Sequence, residues 1–288
     1  MRQKESQKML YPISYKTIIE RALEEDLGVA GDVTTDSIVN PKSLATASIV
    51  ARNEGRISGL EVALNVFTMI DDSVSVQAKY YDGDDVPQGS TLAVISGSAR
   101  SILTAERTAL NILGRMSGIA TATRGLVTAI CNSSARIICT RKTAPGLRVL
   151  DKYSVKVGGG LNHRFGLNDG VLIKDNHRIM AGGVVPAIEL VRLNLGHMVK
   201  VELEVDTLSE LEEALTLGVD AVLLDNMSIE LLNEAVAMVD GRIITEASGG
   251  ITPTNITDVA ASGVDLISLG WLTHSIDNWD VGLDFEPT

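Results

Sequence analysis

The stretch that decides the fold runs from Val201 to Gly270. It contains VELEV (201–205), AVLLD (221–225), RIITEAS (242–248) and DLISLG (265–270), separated by SELEEALTLG (209–218), IELLNEAVAMV (229–239) and TNITDVAASG (254–263). Each of the first group is a short apolar run closed by a polar residue. Each of the second carries apolar residues at helical spacing. Short buried strands alternating with amphipathic helices predict βα units around a parallel sheet. The spacing is regular: Glu204, Asp225, Glu246 and Ser268 follow one another at 21, 21 and 22 residues. A repeat of that length with no reversal of order favours a small (β/α) barrel over a doubly wound sheet.

Upstream, RIICT (136–140) and GVLIKD (170–175) extend the same rhythm. The amino-terminal third has another. Ile18, Ile19, Ala22 and Leu23 predict a helix ended by Gly28, and LEVALNVFTMI (60–70) predicts a second. SVSVQAKYYDG followed by DVPQGSTLAVIS predicts antiparallel strands joined at Asp-Gly and Pro-Gln-Gly turns. A long helical pattern from about Ile102 to Ile130 bridges the two regions. The expected division is a mixed α/β domain over 1–115, to which the tail 276–288 returns, and a barrel over 116–275.

Barrel chemistry sits at the carboxyl ends of the strands. Those ends carry Arg141 and Lys142, Lys174 and Asn176, Glu204, Asp225 and Asn226, Glu246 and Ser248, then Gly270. One polar residue closing a strand is ordinary punctuation; charged residues at nearly every strand end are not required by solvation.

Charge sharpens the same point. The 288 residues carry a net charge of −12, which excludes a general binder of nucleic acid or membrane surfaces, because a polyanion would repel the chain. Trp, Tyr and Phe number 2, 5 and 3 and are not interleaved with basic residues, so no stacking platform for single strands is expected. Yet residues 141–178 hold eight Lys and Arg against three Asp, a net of +5. A basic cluster inside an acidic chain predicts a site for a small, multiply charged anion. Arginine suits bidentate carboxylates and lysine suits phosphate. Arg141, Lys142, Arg164 and Lys174 are the expected donors, with His163 and His177 beside them, whereas Lys152, Lys156 and Arg178 read equally well as a solvated basic face.

Ser248-Gly249-Gly250, placed after a strand and before an expected helix at Pro253, offers backbone amides to a phosphate, and Gly270 follows the next strand. Neither GxxxxGK[ST] nor GxGxxG occurs, so no Walker or Rossmann site is predicted. Glu204 and Asp225, at the ends of adjacent strands, could hold Mg²⁺, accept hydrogen bonds from sugar hydroxyls, or form a general acid/base pair. Neighbouring lysines, which keep both ionised, favour metal and sugar. Together these features describe a site for a phosphorylated sugar and a carboxylated partner.

Cys131 and Cys139, the only cysteines, have no metal-ligand spacing and are expected to be buried thiols. MRQKESQKML has no apolar core, and Arg115 and Arg124 interrupt the apolar stretch from Ile112 to Ile130, so neither a secretory leader nor a membrane span is predicted and a cytoplasmic location is expected.

The residues then show a resemblance. EDLGVAGDVTTD (25–36), LTAERTALNILGRMSGIATAT (103–123), TRKTAPGLR (140–148), DKYSVKVGGGLNHR (151–164), LIKDNH (172–177), VELEVDT (201–207), LLDNM (223–227), EASGGI (246–251) and LGWLTHS (269–275) resemble, in order and from about Glu25 to Ser275, the quinolinate phosphoribosyltransferase family, also called carboxylating nicotinate-nucleotide pyrophosphorylase. The resemblance implies an amino-terminal open α/β sandwich followed by an incomplete (β/α) TIM-like barrel of about seven strands. It implies the conversion of quinolinate and phosphoribosyl pyrophosphate into nicotinate mononucleotide, pyrophosphate and CO₂, with Mg²⁺, in NAD biosynthesis.

Carried over by motif, Arg141, His163 and Arg164 would bind the quinolinate carboxylates. Lys142 and Lys174 would neutralise the pyrophosphate. Glu204 and Asp225 would place ribose hydroxyls and Mg²⁺, and with the two lysines they make up the implied catalytic set. Ser248, Gly249, Gly250 and Gly270 would hold the 5′-phosphate. The resemblance also gives His274 to the site, and brings Arg107 across a head-to-tail homodimer, with hexamers of such dimers left open. Ala144, Ser154 and Met116 depart from the family's usual Thr, Ala and Leu, and none removes a charge. A ModD-like homologue associated with molybdate transport, a nicotinate phosphoribosyltransferase and a non-catalytic anion-binding protein are the rival readings. LIKDNH disfavours the first, the number of cations the second, and the carboxylate pair the third.

Overall fold

The computed structural model describes residues 10–285. In order, the chain forms α1 (Pro12–Leu27), α2 (Val33–Ile38), β1 (Leu44–Ala51), β2 (Gly55–Arg56), α3 (Leu60–Ile70), β3 (Ser75–Ala78), β4 (Asp85–Val86), β5 (Thr91–Ser98) and α4 (Ala99–Ala129). There follow β6 (Arg136–Ile138), α5 (Arg148–Val157), β7 (Val171–Ile173), α6 (Asp175–Ala181), α7 (Val184–Asn194), β8 (Val201–Val205), α8 (Leu208–Thr216), β9 (Ala221–Asp225) and α9 (Ile229–Val239). The last elements are β10 (Ile244–Ser248), α10 (Ile256–Ala261), β11 (Leu266–Ser268), α11 (Trp271–His274) and β12 (Val281–Phe285). The chain divides into two compact units.

One unit comprises the described residues of Met1–Arg124 and Leu272–Thr288 together with Thr143–Gly159. Its main sheet has the order β12-β1-β5-β3. β1 pairs antiparallel with β5 through Ala47↔Ile95 and with β12 through Ile49↔Leu283. The tail therefore forms an edge strand of this sheet as far as Phe285; residues 286–288 of the expected tail, like most of the segment on which the leader reading rested, lie outside the described residues. Ile102, Ala105, Ala109, Leu113 and Met116 recur at three- and four-residue spacing on α4 and are all completely buried. That stripe is why the long helix forms and stays: each fully buried large apolar side chain contributes about 1.5–3 kcal/mol. Gly59, at φ 82°, lets α3 begin against Met116, where a Cβ would collide with the Met116 sulfur.

The other unit, Gly125–Lys142 and Gly160–Trp271, holds a six-stranded parallel sheet in the order β6-β11-β10-β9-β8-β7. The first strand in sequence lies beside the last, the signature of a sheet curling towards closure. Next to β6 a single parallel bridge joins Ile138 to Leu161, so the expected seventh strand is reduced to one residue pair. The register places Glu204 level with Leu223, Leu223 with Glu246, and Asp225 with Ser248. Helices take their stops and starts from local chemistry: the Thr207 hydroxyl caps α8 through Glu210 N–H, and the Ser228 hydroxyl caps α9 through Leu231 N–H.

Three readings of polarity are corrected here. Lys152 and Arg178, taken as candidates for a solvated basic face, are 1% and 8% exposed; Lys156 is exposed. Arg178 is neutralised by Asp206 at 2.9 Å and Glu210 at 2.7 Å. Cys139 is buried as expected, but Cys131 is exposed on the turn after α4. The helix expected at Pro253 begins at Ile256. No helix among the described residues is long and apolar enough to cross a membrane.

Candidate active site

β6 ends at Ile138, and three residues later Arg141 stands partly buried, followed by exposed Lys142. Arg164 sits on the loop before β7, where its Nη1 donates to the Gly170 carbonyl at 2.9 Å. Its Nε is buried and has no hydrogen-bond partner among the described residues. Burial, and then the Arg141 charge, pull the Arg164 pKa below the ordinary guanidinium value. Two guanidiniums close enough to repel store a cost that an anion relieves.

Lys174 and Glu204 are brought together: Nζ donates to Oε2 at 2.9 Å from the ends of β7 and β8. Asp225, at the end of β9, accepts instead from the Asn226 amide at 2.6 Å. Glu204 is thus committed to a lysine, and Asp225 lies two residues further along its strand than Leu223, the register partner of Glu204. His177 turns back to accept the Lys174 backbone N–H at 2.9 Å and so serves the start of α6.

Ser248 closes β10 level with Asp225, and its carbonyl accepts the Asn226 N–H at 2.9 Å. Asn226, Gly249 and Gly250 all have positive φ, 54°, 92° and 62°. A Cβ on Gly249 would meet the Asn226 backbone nitrogen at 3.0 Å and collide with its side-chain oxygen. These conformations suit glycine, and they turn the backbone sharply beside the strand ends. Gly249→Ala is expected to cost about 1–3 kcal/mol, measured as a lower urea midpoint at unchanged slope; an unchanged midpoint would mean that Asn226 moves aside freely. Gly270 stands two residues past β11.

Arg107 and His274 belong to the other unit. Arg107 is exposed on α4 with Glu106 4.0 Å away, and it lines a cavity of about 660 Å³ with Arg21, Glu25, Asn111 and Arg115. The exposed His274 Nδ1 lies 2.6 Å from the Ser275 hydroxyl.

Glu202 had no place in the motif reading, and the structure sets it beside His163 and Glu246. His163 Nε2 lies 2.8 Å from Glu202 Oε2 and 3.7 Å from Glu246 Oε2, and its Nδ1 accepts the Arg164 backbone N–H at 2.7 Å. Glu202 and Glu246 are 9% and 1% exposed, and neither Glu246 oxygen has a hydrogen bond among the described residues. Burial first, and then the charge of Glu202, push the Glu246 carboxyl well above the usual carboxylate range. A signal for Glu202 did exist in the sequence. VELEV puts two glutamates on one face of a strand whose parallel setting calls for apolar residues on both.

Cations, a carboxylate–lysine pair and a glycine turn at the carboxyl ends of its strands place this unit among (β/α) barrel proteins, whose chemistry sits at that end. The comparisons narrow that class. Residues 32–117 match the model described as quinolinate phosphoribosyl transferase, N-terminal domain, and residues 119–284 match its C-terminal domain. The chain belongs to this family. It is 43% identical over 271 residues to a nicotinate-nucleotide pyrophosphorylase [carboxylating] of Mycobacterium leprae, covering 92% of this chain and 95% of that one. A crystal structure of nicotinate-nucleotide pyrophosphorylase from Ehrlichia chaffeensis is similar at TM-score 0.92 and 41% identity, covering 97% of this chain and 100% of that chain. NadC from Streptococcus pyogenes is similar at TM-score 0.91 and 39% identity, over 97% and 100%.

Proposed function

We propose that this chain transfers the phosphoribosyl group of phosphoribosyl pyrophosphate to quinolinate, releasing pyrophosphate and CO₂ and forming nicotinate mononucleotide for NAD biosynthesis. The observation that carries the reading is the Arg141–Arg164 pair within a chain that matches the family along nearly its whole length. Two neighbouring guanidiniums suit a dianion better than the single carboxylate of nicotinate.

In this reading Arg141 and Arg164 hold the two carboxylates and so aim the pyridine nitrogen at C1 of the ribose. Lys142 and Lys174 face the pyrophosphate and stabilise the charge it takes on leaving. Glu204, steadied by Lys174, and Asp225 accept hydrogen bonds from ribose hydroxyls. Ser248, Gly249, Gly250 and Gly270 receive the 5′-phosphate. The nitrogen, once alkylated, is a pyridinium whose positive charge stabilises the electron pair left on the adjacent ring carbon when its carboxylate departs as CO₂, and a proton from water then takes that position. No nucleophilic side chain of the protein is required.

Mg²⁺ usually keeps several waters and is held by one or two carboxylates plus substrate phosphates. Glu204 and Asp225 offer that donor set at two adjacent strand ends, so they would complete the coordination of a Mg²⁺ arriving with the pyrophosphate. The cation would supply neutralisation of the leaving group. We further propose a homodimer in which Arg107 completes a partner's site, a place for His274 in the site, and a cytoplasmic location.

Incubation with quinolinate, phosphoribosyl pyrophosphate and Mg²⁺ is expected to yield nicotinate mononucleotide and CO₂ in equal amounts, and omission of Mg²⁺ to slow it. Product from nicotinate but not from quinolinate would sink the assignment.

A further inference from the structure

We propose that Trp271 is a positioning residue for the 5′-phosphate: its indole N–H staples the loop after β10 to the loop after β11 and so fixes the far end of the turn at 248–251. The inference rests on the reading above, in which this turn receives the phosphate.

A trans peptide points its C=O and its N–H in opposite directions, so holding one fixes the other. In the peptide between Ser248 and Gly249 the carbonyl accepts the Asn226 N–H at 2.9 Å. In the peptide between Gly250 and Ile251 it accepts the Asn255 side-chain amide at 3.1 Å. The N–H groups of Gly249, Gly250 and Ile251 make no hydrogen bond among the described residues. Successive unpaired amides in such a turn form a concavity that suits an anion, and φ is 92° at Gly249 and 62° at Gly250.

The turn is useful only if both its ends are held. Asn226, on the loop after β9, holds the first. At the other, the peptide between Ile251 and Thr252 is gripped from two sides: its carbonyl accepts Trp271 Nε1 at 3.1 Å, and its N–H donates to Asn255 Oδ1 at 2.8 Å. Asn255 belongs to the same loop, at the start of α10, and can travel with the turn. Trp271 cannot. It opens α11 directly after Gly270, and β11 lies beside β10 with Ala247 level with Ile267. The turn after β10 is therefore braced from the strand on either side, and one indole joins the two loops that the phosphate is to bridge. Ile251 is buried, so its carbonyl has little water to replace a lost donor.

Steady-state kinetics of the full chain makes the first test. Trp271→Phe keeps an aromatic ring but has no N–H. It is expected to raise the phosphoribosyl pyrophosphate KM about 3- to 10-fold, while the quinolinate KM moves less than about two-fold. A Phe variant with the parent's KM would reduce Trp271 to packing. An equal rise for both substrates would reduce it to a general role in stability. Either result overturns the proposal.

The unaltered protein gives a second reading. The chain has two tryptophans, and Trp279 donates its indole N–H to the Glu54 carbonyl in the other unit. The two indole ¹H–¹⁵N resonances are assigned with Trp279→Phe. That of Trp271 is expected to shift on titration with ribose 5-phosphate, and that of Trp279 to stay. A Trp271 resonance that does not move while calorimetry shows ribose 5-phosphate bound would overturn the staple. A chain that binds neither ribose 5-phosphate nor phosphoribosyl pyrophosphate would sink the functional reading instead.

Discussion

Replacing Arg141 with alanine is expected to raise the quinolinate KM by about 10²- to 10³-fold, with the phosphoribosyl pyrophosphate KM moving only a few-fold. The magnitude is that of truncating one side of a desolvated charge pair, about 2–5 kcal/mol. Selectivity between the substrates follows from geometry: Arg141 shares its surroundings with Arg164, whereas the glycine turn at 248–250 belongs to β10 and its loop. Arg141→Lys keeps the charge but loses the planar fork, and is expected to recover a minor part of the loss. Steady-state kinetics with each substrate varied in turn makes the check. An Arg141→Ala enzyme with ordinary quinolinate kinetics would remove this residue from the site and, with it, the observation on which the functional reading stands.

What could be read from the sequence follows the range over which each interaction acts. The parallel sheet was legible because strand and helix periodicities are local and repeat between Val201 and Gly270. The rim cations were legible because barrel topology fixes where strand ends point. The seventh strand was not, because pairing at Leu161 involves one residue and leaves no periodic trace. Nor was the burial of Arg178, whose partners Asp206 and Glu210 lie on a later loop and helix. Glu204 and Asp225 were read as a pair from adjacent strand ends, but the side chains take different first partners, Lys174 and Asn226. The largest omission was Glu202. A rule that takes site residues from the carboxyl ends of strands selects Glu204 and skips Glu202, two positions earlier on the same face of β8. In a parallel strand, polar residues at alternate positions are the more informative signal, since nothing in the sheet itself accommodates them.

The second large effect concerns stability. Asp151, on the first turn of α5, is completely buried. Its carboxylate accepts Arg115 Nε and Nη2, both at 2.8 Å, and the Ala144 N–H at 3.2 Å; Arg115 Nη2 also donates to the Thr273 carbonyl at 2.7 Å. Arg115→Met keeps the apolar stem in place but strands a buried carboxylate, and is expected to cost about 3–5 kcal/mol. If the cost comes from the orphaned charge and not from lost packing, Asp151→Leu in the same background should return at least about 2 kcal/mol, less about 1 kcal/mol for the Ala144 amide that loses its acceptor. Urea midpoints of the two single variants and the double variant decide between these origins; an Arg115→Met chain within about 0.5 kcal/mol of the parent would show the pair to be inert.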